Sequence, residues 1–189
     1  IVPGVRNKLQ TRREGEAYDF VDVNLYTVLL LEREKDQKFI NNFYMDALIK
    51  PMDAMEVRVD AMYDTTKSQL ATFNLRTIYS RTNMWQSAFE FRYNNDSESR
   101  LLVADVTLFP GWAWTLNGYG RMELNDSRLE EAGGYLQRNL DCMVVRTGFG
   151  IIPAYEQSNG TEVQQEWRIL LELWLTAFPE IAISGRHKN

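Results

Sequence analysis

Among groups that can act as nucleophile, base or metal ligand, the sequence holds one histidine, His187, and one cysteine, Cys142. That supply excludes an internal disulfide, a Cys/His zinc site and a paired-histidine metal motif. His187 lies in the polar stretch that ends the sequence, so no Ser-His-Asp machine is expected. Glu130 and Glu131 are adjacent carboxylates. On a strand, neighbours point to opposite faces, so their spacing does not make an acid/base pair. Gly133-Gly134 and the Gly148/Gly150 pair fall inside strand patterns, where glycine marks a bend or close packing rather than a phosphate loop. Asn95-Asp96-Ser97, Asn125-Asp126-Ser127 and Asn159-Gly160-Thr161 fit the N-glycosylation acceptor and read as turn chemistry. Cys142 opens a strand and is expected to be a small buried residue rather than a reactive thiol. The expectation is therefore no catalytic residue, no metal and no cofactor. What remains is the chemistry of binding, carried by charges repeated at every second residue.

Those charges need elements to hold them. Lys and Arg number 21 and Asp and Glu 26, a net charge of −5 over 189 residues. Such an acidic chain is a poor partner for a phosphate backbone, so no nucleic acid is expected. Mean hydropathy is low, and no run approaches the roughly 18 apolar residues of a membrane helix. A transmembrane β-barrel passes that test, because alternation of polar and apolar residues keeps its average hydropathy down.

The dominant period is two. Phe39, Phe43, Met45, Ala47 and Ile49 share one face, with Asn41 the exception, against Asn42, Tyr44, Asp46 and Lys50. Met55, Val57, Val59, Ala61 and Tyr63 oppose Glu56, Arg58, Asp60 and Asp64. Trp85, Phe89, Phe91 and Tyr93 oppose Gln86, Glu90, Arg92 and Asn94. Trp112, Trp114, Leu116, Met122 and Leu124 oppose Thr115, Asn117, Tyr119, Arg121 and Glu123. Between 161 and 176, Val163, Trp167, Ile169, Leu171, Leu173 and Leu175 oppose Glu162, Gln164, Glu166, Arg168 and Glu172. Weaker versions occupy 1–11, 18–31, 69–81, 99–109, 128–137 and 142–151. This is strand alternation, and it predicts about eleven strands and no helix. Most run roughly 10–14 residues, longer than the usual 5–6 and near the 9–11 that cross a bilayer at a tilt.

The connections alternate too. Those at 13–16, 51–53, 82–84, 110–111 and 139–141 are short; those at 33–38, 65–68, 95–98, 125–127 and 152–160 are generally longer and more polar. An up-and-down meander with short periplasmic turns and longer outer loops has this form. Trp85, Trp112 and Trp114 follow short turns, while Phe39, Tyr63, Tyr93 and Trp167 sit near the longer loops, all on the apolar face. Two such rims are the aromatic girdle of a bilayer-spanning barrel. The charges at mid-strand, among them Asp46, Glu56, Arg58, Asp60, Arg76, Glu90, Arg92, Asp105, Arg121, Glu123, Arg146, Glu166 and Arg168, cannot face hydrocarbon. They fit a wet lumen or a soluble exterior; the pattern alone does not say which face is inside.

The chain resembles the carboxyl-terminal barrel of the LptD family, the lipopolysaccharide-assembly (organic solvent tolerance) proteins of the bacterial outer membrane. The resemblance rests on Val2-Pro3-Gly4-Val5-Arg6-Asn7 at a strand start and on Asp126-Ser127-Arg128-Leu129-Glu130-Glu131 after a turn. It rests also on Asp141-Cys142 before a strand and on Ala177-Phe178-Pro179 ending the last one. It covers most of this chain and the last part of the family's long sequence. It implies a barrel that surrounds a plug lipoprotein of the LptE type, works with periplasmic bridge proteins, and passes lipopolysaccharide to the outer leaflet through a lateral opening between the first and last strands. By the same resemblance, 161–176 is that last strand and Cys142 is a position for a disulfide to a domain outside this chain.

The expected architecture is therefore an all-β, antiparallel up-and-down transmembrane barrel in the outer membrane. Residues 1–176 form part of a larger barrel, and 177–189 form a periplasmic tail. An odd strand count points to a piece of a larger whole, since single-chain bacterial barrels are even. Glu162, Gln164, Glu166 and Arg168 are expected to line the lumen near the seam, with membrane lipid on the Trp167 and Leu171 side. The competing readings are a passive pore and a soluble β-protein that binds an apolar ligand.

Overall fold

A computed structural model describes residues 1–13, 15–31, 39–156 and 162–188; for 156, 162–163 and 178–188 it describes the backbone course alone. The elements are β1 (Gly4–Arg13), β2 (Glu16–Leu29), β3 (Ile40–Met52), β4 (Met55–Asp64), β5 (Gln69–Arg81), β6 (Trp85–Asn94) and β7 (Ser99–Leu108). They continue with β8 (Trp114–Glu123), β9 (Arg128–Asn139), β10 (Met143–Ile152), β11 (Tyr155–Glu156), β12 (Glu162–Val163), β13 (Glu166–Leu175) and β14 (Phe178–Lys188). No helix occurs among the described residues. Twelve strands make one sheet in the order β1 through β10, then β13 and β14, with β11 and β12 a separate small hairpin. The topology is up-and-down and antiparallel, so every neighbour in the sheet is a neighbour in sequence or is separated by that hairpin alone.

The chain divides into two units, Ile1–Tyr79 with Phe89–Leu101, and Ser80–Ala88 with Leu102–Asn189. In the first, Val23, Ala47 and Val59 lie in one cross-strand row, and Leu25, Met45, Ala61 and Phe73 in the next of the same face. On the opposite face, Asn24, Asp46, Asp60 and Asn74 form a row. In the second unit, Leu116, Leu136, Thr147 and Leu171 share a row, and Gly118, Gly134, Phe149 and Ile169 the next. Within each unit the rows convert the period of two in each strand into two faces, one apolar and one polar.

Neither unit has a second layer over its apolar face. Among the described residues, the buried apolar side chains are Ala71, Leu101 and Val144. Leu25, Phe43, Phe89, Leu116, Phe149, Ile169 and Leu171 are all exposed, Phe149 by 60%.

Turn chemistry sets the hairpins. Asp64 Oδ1 accepts from the amides of Thr66 (2.7 Å) and Lys67 (3.0 Å), and Asn94 Oδ1 accepts from Asp96 (3.0 Å) and Ser97 (3.3 Å). Each turn then closes through a left-handed residue, Ser68 (φ 54°) and Glu98 (φ 52°), and Ser127 (φ 50°) repeats this after β8. Carbonyl-bearing side chains at the end of a strand thus do the work of a backbone turn.

Several expectations change. The eleven expected strands are present as β1–β10 and β13, and the main sheet gains a twelfth, because 178–188, expected as a tail, pairs with β13 as β14. Pro179 read as a stop, yet β14 ends the strand order, and an edge strand tolerates a residue without an N–H. The expected strand 161–176 begins its sheet pairing at Glu166, opposite Ile152. Pro153 follows Ile152 and cannot donate to the ladder, so β10 stops there and 162–163 pair with β11 instead. Trp112 belongs to the turn at 109–113, its ring 5.8 Å from that of Phe109, rather than to a strand. That turn is longer than expected, and 65–68, 95–98 and 124–127 are tight hairpin turns, so the alternation in loop length is weaker than the sequence suggested.

Candidate functional site

The polar face holds the side chains able to bind. In the first unit, Arg6 reaches Asp22 through two hydrogen bonds, 2.8 Å from Nε and 2.5 Å from Nη2. Lys8 pairs with both Asp19 (3.2 Å) and Asp22 (3.3 Å). In the row of Arg6, Asp46 and Asp60 oppose each other directly, and in the row of Lys8 and Asp22, Arg58 opposes Arg76. Like charges facing across strands cost stability, so the two pairs are held by the hydrophobic and hydrogen-bonded frame around them. A polar hollow of about 600 Å³ opens among Arg6, Asp22, Asp46, Arg58 and Asp60. Beside it Tyr26 and Tyr44 stack as cross-strand partners, ring centroids 5.0 Å apart and 10° from parallel.

A short motif recurs along the chain: Glu56-Val57-Arg58, Glu90-Phe91-Arg92 and Glu166-Trp167-Arg168. In each, the arginine Nε donates to the glutamate Oε1 on the same strand face, at 2.6, 2.5 and 2.6 Å. Residues two apart on a strand share a face, so each arginine carries its counter-ion with it. The apolar residue between them points the other way.

The second unit builds a more enclosed arrangement. Tyr119 on β8 is paired with Gly133 on β9, which is paired with Gly150 on β10. Neither glycine has a Cβ to fill the space, and the Tyr119 side chain lies across them. A Cβ on Gly133 would stand 2.9 Å from the Tyr119 hydroxyl, and one on Gly150 would stand 3.4 Å away. That hydroxyl donates to Glu131 Oε1 at 2.9 Å. Glu131 in turn sits 3.7 Å from Arg168 on β13. The contact spans β10 entirely, and the missing side chain at Gly150 is what lets the two long side chains meet over it. A cavity of about 290 Å³ lies here, bounded by Tyr119, Glu131, Tyr135, Gly148, Gly150 and Arg168.

Next to it Arg146 donates to Gln137 Oε1 (Nε 3.1 Å, Nη2 2.7 Å) and to Glu172 (3.2 Å). Its guanidinium is sandwiched between Tyr135 at 4.5 Å and Trp174 at 5.0 Å. A planar guanidinium held by three hydrogen bonds between two rings is a rigid cross-strand tie.

Of the four residues expected to line a lumen near the seam, Glu166 and Arg168 lie on the polar face of β13. Gln164 precedes β13 and is exposed outside the sheet. Glu162 lies in β12, and its side chain falls outside the description. The aromatics expected in a girdle stand at or beside strand ends. Trp114, Trp167 and Phe39 are exposed, with Arg138 stacked 4.7 Å from the Trp114 ring. Trp85 opens β6 half-buried, and Tyr93 donates its hydroxyl to Asn95 at 2.8 Å near the end of that strand. Cys142 is corrected. Instead of a small buried residue it is an exposed free thiol immediately before β10, because its side chain lies in the turn beyond the paired rows.

The Tyr119–Glu131–Arg168 brace and the Arg146 sandwich escaped the sequence reading. The Glu-x-Arg spacing and the glycines in β9 and β10 were signals, but which glycine faces which tyrosine depends on register. Among the described residues no group of three or more His, Cys, Asp or Glu could hold a metal. Among the described residues no helix is long and apolar enough to cross a membrane, which bears on helices alone. No family model matches the chain, and no curated protein matches it.

Proposed function

We propose that this sheet forms part of the wall of an outer-membrane β-barrel that assembles lipopolysaccharide in the manner of the LptD proteins. The observation that carries the membrane reading is the apolar face. Leu116, Leu136, Phe149, Ile169 and Leu171 form adjacent exposed rows in one unit, and Leu25, Phe43 and Tyr63 lie on the apolar face of the other. Soluble monomers rarely expose contiguous apolar patches beyond roughly 300–600 Å². Covering a half-exposed side chain of this size with lipid gains about 1 kcal/mol each. The same rows carry charge on their other side, the disposition of a wet lumen wall.

The mechanism is physical rather than catalytic. Charged and hydroxyl side chains on the polar face bind saccharide and phosphate groups, while acyl chains leave sideways into lipid. A plug lipoprotein of the LptE type, periplasmic bridge proteins and a lateral seam come to the reading from the family resemblance. Extraction tests the membrane part: the barrel reading predicts a protein that needs detergent and migrates differently on a gel before and after heating. Release into plain buffer with no heat-dependent shift refutes it. Depletion in cells tests the assembly part: surface lipopolysaccharide is expected to fall, and an unchanged level leaves a passive pore.

A further inference from the structure

We infer that the short-turn rim of the second unit, on its apolar side, is a binding site for the phosphodiester of an anionic glycerophospholipid, with Arg138 as its anchor. The inference rests on the reading that lipid covers the apolar face, and it adds to that reading a headgroup, a leaflet and named contacts.

The site is a cation where the pattern calls for none. Trp114 pairs with Arg138, Arg138 with Val145, and Val145 with Leu173. That row lies two residues along from Leu116, Leu136, Thr147 and Leu171, so it belongs to the same apolar face. From Trp114 to Gly120, the rows of this face over β8, β9, β10 and β13 hold Arg138 as their one charged residue. Its side chain is half-buried, and its guanidinium lies over the Trp114 ring, 4.7 Å from the centroid. Among the described residues no carboxylate and no other hydrogen-bond acceptor pairs with it. Stacking uses the flat face of a guanidinium and leaves the N–H groups at its edge, so its forked donors stay available.

The surroundings suit a bilayer interface. Backbone bonds tie successive short turns together: Met84 donates to the Arg81 carbonyl (3.0 Å), Phe109 to Met84 (2.8 Å), Trp112 to Phe109 (3.1 Å) and Asn139 to Ala113 (2.8 Å). The Asn139 side chain adds a bond to the Trp112 carbonyl at 2.8 Å. Met84, Phe109, Trp112 and Trp114 are all exposed along this shelf. Tryptophan rings settle at headgroup depth, where phosphates lie. Leu116 and Leu136, in the next row, are exposed as a bed for the acyl chains.

Charge selects the headgroup. Arg81, exposed at the end of β5, has no ion-pair partner among the described residues. Asp105 and Glu172 face the other side of the sheet, where they bond Asn117 and Arg146. Asp141, in the turn after β9, is exposed and joins no ion pair among the described residues. Glu180 lies near the start of β14, and β10 and β13 stand between that strand and β9, a gap of about 14 Å. Arg186, His187 and Lys188 lie at the other end of β14, opposite Leu170, Ile169 and Arg168. Arg138 and Arg81 therefore outweigh Asp141 at this rim. An anionic phosphodiester is drawn to it, and the guanidinium fork matches the two free phosphate oxygens. A zwitterionic headgroup brings its own cation and gains less. With the short turns at the periplasmic end, this rim meets the leaflet opposite to the one that receives lipopolysaccharide, so the occupant is a glycerophospholipid.

The test is native mass spectrometry of the full chain released from detergent micelles, its folding checked by the heat-dependent gel shift. The probes are dioleoyl phosphatidylglycerol, dioleoyl phosphatidylcholine and dioleoylglycerol. The phosphatidylglycerol should be retained at the lowest concentration, the phosphatidylcholine should need more, and the dioleoylglycerol should not be retained. Arg138→Gln should weaken phosphatidylglycerol binding about fivefold, the factor carried by one basic side chain at an anionic membrane surface. Arg81→Gln should weaken it less, and Arg168→Gln, on the polar face, should leave it unchanged. If Arg138→Gln does not fold, Arg138→Lys and Trp114→Leu replace it: the first keeps the charge without the fork, the second removes the ring beneath it, and both should weaken binding. Equal retention of the three lipids by folded protein, or binding indifferent to Arg138, overturns the site while leaving the barrel intact. Equal displacement of phosphatidylglycerol by glycerol phosphate or by lipopolysaccharide overturns it too, in favour of a free anion or of the transported lipid. A chain that shows no gel shift and dissolves in plain buffer overturns the barrel reading instead.

Discussion

Leu171 offers the sharpest test of which face meets lipid. It is 49% exposed on the apolar face of β13, opposite Thr147. It lies 175 − 171 = 4 residues from the last residue of β13, Leu175, which is 46% exposed on the same face. At about 3.3 Å per residue that is about 13 Å along the strand. With a tilt of about 40° it is about 10 Å in depth, close to half of a hydrocarbon band about 25 Å tall. If lipid covers this face, Leu171 lies near the midplane and Leu175 near an interface. An arginine at the midplane costs about 2–4 kcal/mol, and near the interface about 0–1. On the surface of a soluble protein, either substitution falls within about ±0.5 kcal/mol. Leu171→Arg should therefore cost about 2–3 kcal/mol more than Leu175→Arg, a factor of about 30–150 in the folding equilibrium. The assay is a urea titration of folding into phosphatidylcholine vesicles, followed by tryptophan fluorescence. If the two variants agree within about 0.5 kcal/mol, or if both fold equally well without vesicles, lipid does not cover this face.

Four further outcomes are expected. Gly134→Ala should cost about 1–3 kcal/mol, because its Cβ would stand 2.4 Å from the Asn117 carbonyl oxygen, whereas Gly118→Ala meets nothing within 4 Å and should be neutral or stabilising; denaturation midpoints of the two compare them directly. Arg146→Lys keeps the charge but loses the fork that bonds Gln137 and Glu172, and should cost about 1–2 kcal/mol in the same titration. Cys142, an exposed thiol at the short-turn end, should react with a membrane-impermeant maleimide in permeabilised cells and stay unlabelled in intact ones; labelling of intact cells reverses the orientation. Lys67 bridges two loops through Asp96 at 2.8 Å, and the hydrogen bond to Asp96 raises its pKa. The bridge is then fully present below the ordinary lysine pKa and lost as pH rises through the raised value, so amide exchange in 65–68 and 95–98 should quicken in strong alkali and not between mild acid and neutrality.

Much of the fold was legible because alternation is a local property. Val57, Val59 and Ala61 alternate with Glu56, Arg58 and Asp60 whatever lies beside them, and strand β4 follows from that. The hairpin at 65–68 was legible for a similar reason, since Asp64 can cap its own turn. The errors came at prolines. Pro153 closes β10 at Ile152 and 162–165 lie outside the main sheet, and Pro179 was tolerated because the strand order leaves β14 at an edge. Both outcomes depend on the neighbouring strand rather than on the proline.

The candidate site was legible as residue types and hidden as an arrangement. Glu166 and Arg168 were readable as a pair on one face, since two positions along a strand return to the same side. That Glu131 would reach Arg168 across β10 could not be read, because it needs Gly150 to fall between them. Register shifts at Leu9/Gln10, Met62/Tyr63 and Arg121/Met122 move such pairings by one residue, and each such slip exchanges the faces. The sequence by itself determined that strands would form and that each would carry one apolar and one polar side, since the geometry of a single extended chain requires no more. The tertiary structure decided which polar groups from distant strands share a hollow and that the apolar side is left uncovered, because those depend on hydrogen-bond register between segments that the local pattern does not specify.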